Sequence, residues 1–274
     1  MIPASEPALM TGRLSPMFRM PICFGPAPGP RNLPEDKQGE RYRKETTTLS
    51  LSARSDPSLL AAMLPPGFTL AGEPRINLSF LMFRNIGWLA GRGYNIAIVA
   101  IPARWQGLTE ETGHFVPVVW ESMADPIITG REELGWSKIY ADVADLEPDE
   151  EGWRTHAEWE GFRFLDAQAS GFAPGDPAPP VPMMFAKYIP RTGEWGEADV
   201  SYATITAPDG PTPVLQSSEI GTGSFAFHAA RWEDMPTQYP IVNALAALPL
   251  DDFGPAQLVR SSGGGDGSGQ TILR

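Results

Sequence analysis

Twenty-nine prolines and 28 glycines are spread through 274 residues, so about one residue in five resists a helix interior. Proline lacks a backbone donor and clashes with the preceding helical turn, and glycine loses the most entropy on ordering. A helical bundle or coiled coil is therefore excluded. Short strands and turns are left. With 42% apolar and 20% charged residues, a chain of this length can bury a real core.

The strand pattern is legible in places. ETTTLSLSA, residues 45–53, alternates polar with apolar residues. SDPSLLAAMLPPGF carries a helix start, with Ser55 or Asp56 as N-cap, Pro57 in the first turn and Pro65-Pro66 as the stop. From residue 75 apolar runs follow one another, broken by Gly, Pro or Asp: RINLSFLMFR, YNIAIVAIP, HFVPVVWESM, DPIITG, WSKIYADVADL, RTHAEWEGFRFLDAQA, VPMMFAKYIP, EADVSYATITA and GSFAFHAARW. TQYPIVNALAALPL reads as a late short helix. This predicts an α+β, mainly antiparallel β fold: a curved sheet closed into a barrel, with a few peripheral helices. One domain is expected over 41–255. A Pro/Gly-rich irregular arm precedes it at 1–40, and a flexible Gly/Ser-rich tail follows at 256–274.

Several function classes are disfavoured. A formal charge of −12 and a pI near 4.7 would repel a phosphate backbone, so no nucleic-acid partner is expected. Cys23 is the single cysteine, which rules out an internal disulfide. No segment holds the ~20 apolar residues of a membrane span, so no membrane partner is expected. The first residues, with Glu6 and early prolines, do not read as a signal peptide, and the expected location is cytoplasmic. His114, His156 and His228 lack ligand spacing, so no metal is expected. GRG at 91–93 and GTGS at 221–224 complete no phosphate loop and read as turn glycines, and no cofactor is expected. EPDEEGW at 147–152 reads as a solvated turn, and Trp88, Trp120 and Trp136 as core or lining residues.

Lysine is scarce. There are four, Lys37, Lys44, Lys138 and Lys187, and two of them, Lys138 and Lys187, lie in apolar runs. If WSKIYADV is a strand, Trp136, Lys138, Tyr140 and Asp142 share a face. From the residues alone two readings stand. Lys138 is an outward, solvated strand lysine beside Asp142, or it is a desolvated amine between aromatic rings. In the second case its pKa falls and the neutral amine attacks carbonyls. Glu132 and Glu133 lie close upstream as proton carriers or counterions.

The run GREELGWSK resembles the signature of the acetoacetate decarboxylase superfamily, in which a Gly-Arg-Glu triplet shortly precedes a Schiff-base lysine. Here the triplet is Gly130, Arg131 and Glu132, and the lysine is Lys138. LLAAMLPPGF (59–68), MMFAKYIP (183–190) and GTGSFAFHAARWEDMP (221–236) are similar to further family segments in the same order, over about residues 40–250. The resemblance implies a cone-like barrel with the lysine in an apolar cavity, a homo-oligomer, and a lyase acting on a small keto acid. Lys187 does not match the family's catalytic position, which leaves it a structural or cavity-edge role. The imine chemistry of such a lyase needs an acid/base, Glu132 or Tyr94, and a carboxylate clamp, Arg131, with Trp136 and Tyr94 expected to bind substrate. Ile139 follows the lysine where the family's decarboxylases have a second lysine, and INLSFLMFR and YNIAIVAIP contain no Asp or Glu. These differences favour an aldolase-dehydratase, joining pyruvate to an aldehyde co-substrate, over a decarboxylase of acetoacetate or another 3-keto acid. A barrel that binds a small ligand without turning it over is the non-enzymatic alternative.

Overall fold

The structure, a computed structural model, describes residues 17–150 and 152–274. Residues 1–16 of the expected arm and Glu151 of the acidic turn lie outside the described residues. Strands occupy Glu45–Arg54 (β1), Phe68–Leu70 (β2), Arg75–Arg84 (β3), Tyr94–Gln106 (β4), Glu110–Glu121 (β5), Lys138–Tyr140 (β6), Asp142–Val143 (β7), Glu147–Pro148 (β8), Gly152–Trp159 (β9), Phe162–Pro174 (β10), Met183–Pro190 (β11), Ala198–Thr206 (β12), Val214–Phe227 (β13), Ala256–Ser262 (β14) and Gln270–Ile272 (β15). The α-helices are short: Pro57–Ala62 (α1), Ala124–Thr129 (α2) and Tyr239–Ala246 (α3).

All these strands join one sheet, in the order β15-β12-β11-β5-β4-β3-β1-β14-β13-β10-β9-β7, with β2 on β4, β6 on β5 and β8 on β9. The expectation of a closed barrel is corrected: the order has two ends, β15 and β7, and they do not pair. Closure needs the end strands to share a staggered ladder. β7 has two residues and β15 three, so neither end offers one. The mainly antiparallel expectation holds; the parallel pairs are β5 with β6 and β5 with β11.

The main core packs one sheet face against α3, with Leu49, Phe80, Trp120 and Phe164 beneath Val242 and Leu245. A smaller apolar cluster covers the opposite face of β4 and β5, built from Ile96, Ile98, Val116, Val119 and Phe185, with Tyr94 and Trp136 against it. β4 is thus covered on both sides. That explains why NIAIVAI runs apolar without the alternation of a half-exposed strand.

Two local expectations differ from the structure. DPIITG is not a strand but most of α2. Pro126 sits in its first turn, where a missing backbone N–H costs nothing. The 256–274 segment, set apart as a flexible tail, contains β14, which lies inside the sheet between β1 and β13, and β15. Its Gly/Ser run connects these two strands.

The α1 start matches its signal. The Asp56 carboxylate accepts from Ser58 N at 2.8 Å and Leu59 N at 3.0 Å, with Pro57 leading the helix. Asp56→Ala leaves both donors without that partner, and is expected to cost about 1 kcal/mol in urea unfolding. No helix among the described residues is long and apolar enough to cross a membrane.

Candidate active site

The site is assembled on the edge of β5 that faces away from β4. β11 pairs with that edge at residues 114 and 115, and β6 takes it further along, at 119–121. The register sets Lys138 opposite Val119, two residues from Glu121 on the same strand face. Between β5 and β6 the chain winds through α2 and one π-type turn, Gly130–Leu134. Gly135, at φ 79°, ends that turn. Such a backbone favours glycine.

Lys138 is 6% exposed and Glu121 fully buried. The Nζ lies 2.6 Å from Glu121 Oε1, donates to the Pro126 carbonyl at 3.2 Å, and stands 4.9 Å from the centre of the Trp136 ring. Glu121 Oε2 is buried without a hydrogen-bond partner among the described residues. The Lys138 stem lies across Gly130, where a Cβ would come within 2.5 Å of Cε and 2.8 Å of Nζ. The glycine of the triplet is therefore the floor on which the lysine rests.

Burial lowers the Lys138 pKa, against the attraction of Glu121 and with a further push from the Arg31 charge. Burial raises that of Glu121, against the pull of Lys138. The two shifts point the same way, because each favours a neutral amine beside a neutral acid over two buried charges. Burial, with Glu121 adding to it, also keeps the Tyr94 phenol well above its ordinary range, so it stays a proton donor.

Lys138 opens into a cavity of about 160 Å³ whose wall includes Arg31, Tyr94 and Trp136. That is below the ~300–1,000 Å³ of ordinary ligand clefts and suits a small substrate. Trp136 is held by stacking on Phe185 at 4.8 Å and by its indole N–H to Thr206 at 3.3 Å. Arg31 is fixed by Glu133, with Nη2 at 2.6 Å and Nε at 2.9 Å from Oε2, and by the Asp266 carbonyl.

Of the residues singled out in the sequence, Lys138, Trp136 and Tyr94 come together on this cavity. Arg131 and Glu132 do not line it. Arg131 is exposed and donates to the Lys138 carbonyl at 2.9 Å, which pins the start of β6. Glu132 offers its carbonyl to Lys187 Nζ at 2.6 Å. The winding of the turn is the reason: it aims Glu133 at the arginines and sends its two predecessors elsewhere. Lys187 holds the turn from outside. Tyr140 is exposed and bonds Asp142, because the expected long strand breaks between β6 and β7.

Two site residues were not anticipated. Glu121 is a carboxylate ending the apolar run HFVPVVWE, and a buried strand does not hold such a group without a partner. That was a usable signal. Arg31 sits in the Pro/Gly-rich arm, where nothing local marks it.

No curated protein was found to match the chain. Solved structures are similar in fold. An acetoacetate decarboxylase shares 14% identity over 85% of this chain and 89% of its own, with a TM-score of 0.68. The acetoacetate decarboxylase of Legionella pneumophila shares 20% over 85% and 87%, with a TM-score of 0.64. MppR, an enduracididine biosynthesis enzyme solved in complex with pyruvate, shares 15% over 85% and 90%, also with a TM-score of 0.64. It has also been solved with the condensation product of pyruvate and imidazole 4-carboxaldehyde. The sequence model of the acetoacetate decarboxylase (ADC) family matches residues 19–252. With most of its length matched, the chain belongs to the acetoacetate decarboxylase family.

Proposed function

We propose that the protein is a carbon–carbon lyase in which Lys138 forms a Schiff base with a small keto acid, and that its reaction is the condensation of pyruvate with an aldehyde followed by loss of water. The observation that carries this reading is an amine 6% exposed, 2.6 Å from a fully buried carboxylate, at the end of a small cavity. MppR, similar in fold, has been solved with both pyruvate and a pyruvate–aldehyde condensation product, which supports the choice of reaction.

Glu121 holds the proton that Nζ gives up, leaving a lone pair for attack on the keto carbon. Tyr94 donates to the carbonyl oxygen as it becomes a hydroxyl. Tyr94 recovers its proton from the new ammonium nitrogen, Glu121 returns the stored proton to that hydroxyl, and it leaves as water as the iminium forms. Loss of a proton from the adjacent methyl carbon gives an enamine, whose carbon attacks the aldehyde. The new hydroxyl is eliminated as water, and hydrolysis of the iminium releases an unsaturated keto acid and restores the amine. Arg31, locked by Glu133, gives the wall a positive potential that suits the substrate carboxylate.

Decarboxylation of a 3-keto acid is the second reading. The same iminium accepts the electron pair left when carbon dioxide departs. Glu121 favours it, because the site has a buried carboxylate although β3 and β4 contribute none.

Borohydride reduction in the presence of pyruvate or acetoacetate, followed by peptide mass spectrometry, tests the proposal. The expected adduct is on the peptide carrying Lys138. Unsaturated keto acid appears with pyruvate and an aldehyde, and carbon dioxide with acetoacetate. If neither acid leaves an adduct, the lyase reading falls and the ligand-binding alternative gains. Gly130→Ala is a second check. The added methyl displaces the lysine from its floor, and trapping is expected to slow about 10²-fold.

A further inference from the structure

The Lys138 cavity carries more positive charge than one keto acid needs. Arg31, Arg41, Arg43, Lys44 and Lys138 line it, against Asp266 as the carboxylate of its wall. Four of these five cations are answered by carboxylates. Arg31 has Glu133 at 2.6 Å, Arg41 has Asp266 at 2.7 Å, Arg43 has Glu40 at 2.5 Å and Lys138 has Glu121 at 2.6 Å. Lys44 has no carboxylate within ion-pair distance among the described residues. Its Nζ donates to the Gly265 carbonyl at 2.5 Å and stands 5.8 Å from the centre of the Phe83 ring.

Lys44 is also held in place. Its carbonyl accepts from Gly263 N at 2.8 Å, so both ends of the residue grip the glycine-rich connection between β14 and β15. Burial lowers its pKa, while Asp266 and Asp209, neither within ion-pair distance, raise it. A fixed ammonium facing a cavity without a partner of its own suits an anion supplied by the ligand.

The anion at Lys44 is a different group from the carboxylate next to the keto carbon. That carboxylate is one bond from the imine carbon and stays near Nζ of Lys138, which lies against Glu121, the Pro126 carbonyl and the Trp136 ring. The Lys44 ammonium lies against a different part of the wall, the Gly265 carbonyl and the Phe83 ring.

We propose that Lys44 anchors a second, distal carboxylate, so that the preferred substrate of the Lys138 site is a keto dicarboxylate. This rests on the Schiff-base reading and puts a keto dicarboxylate in the place that the proposed reaction gives to pyruvate.

Two measurements on the full chain test it. In the first, the half-saturating concentration for borohydride trapping is compared within length-matched pairs, oxaloacetate against 2-oxobutyrate and 2-oxoglutarate against 2-oxopentanoate. At least one dicarboxylate is expected to saturate about tenfold lower than its partner, as a charge-assisted hydrogen bond allows. Lys44→Met is expected to erase that ratio, and Lys44→Arg, which keeps the charge, to retain most of it. Equal saturation within both pairs in the wild type, or a preference that survives Lys44→Met, overturns the inference. The second measurement is calorimetric binding of glutarate against pentanoate, neither of which can form an imine. Glutarate binding that is lost in Lys44→Met and kept in Lys44→Arg supports the anchor even if no keto acid is ever trapped, in which case only the covalent reading fails. Glutarate binding that is equal in wild type and Lys44→Met, or absent from both, overturns it.

Discussion

Replacing Lys138 by methionine is expected to abolish the borohydride-trapped adduct and to lower turnover by a factor on the order of 10⁴ or more. Methionine has nearly the length of the lysine stem but no nucleophile. Acid, base and cavity then have nothing to act on. A second effect follows from the partner left behind. Burial raises the Glu121 pKa, and Lys138 is what opposes that rise. Without the lysine the folded-state value climbs further above the unfolded one. A carboxyl with a raised folded pKa favours the native state in acid, and that contribution disappears as pH passes upward through the folded value. Lys138→Met is therefore expected to melt close to wild type in acid and progressively below it as pH rises from about 5, up to the ~3–5 kcal/mol of a stranded buried charge. Melting curves across pH measure this directly. An adduct that persists in the variant would move the nucleophile to another amine, and the proposed chemistry at Lys138 would be wrong.

The features that could be read from the sequence are those fixed by neighbours in the chain. Asp56 and Pro57 announce α1 because a cap acts within three residues. The apolar run of β4, bounded by turn residues, announces a strand. The Trp136–Lys138 contact follows from a two-residue spacing. What was missed depends on pairing between distant segments. Nothing near Glu121 shows that β6 lies parallel to its strand, and that register alone brings the carboxylate to the amine. Arg31 reaches the cavity because Glu133 and the Asp266 carbonyl hold it there, from two other parts of the chain. Closure of the sheet depends on whether its two end strands meet, and strand spacing carries no information about that. The Gly/Ser composition of the final segment suggested mobility. Arg41 and Lys44, which bond Asp266 and Gly265, are out of its local view.

Glu121→Gln separates the two things the carboxylate can do for the amine. Glutamine keeps the shape of the side chain but cannot store the proton that Nζ releases. If Glu121 is the proton store, the plateau rate of adduct formation is expected to fall about 10²-fold. The pH profile should also move, in a direction fixed by the charges. Glu121 is the group that raises the Lys138 pKa, while burial and Arg31 lower it. With Glu121 gone the lowering forces act unopposed, so the amine loses its proton more readily and the acid limb of the profile shifts to lower pH. Stopped trapping over a pH series reads plateau and limb separately. A limb that moves with an unchanged plateau means Glu121 only tunes the amine, and the proton passes through another group such as Tyr94. A limb that stays in place means the 2.6 Å contact does not govern the charge on Lys138, and burial alone supplies the neutral nucleophile.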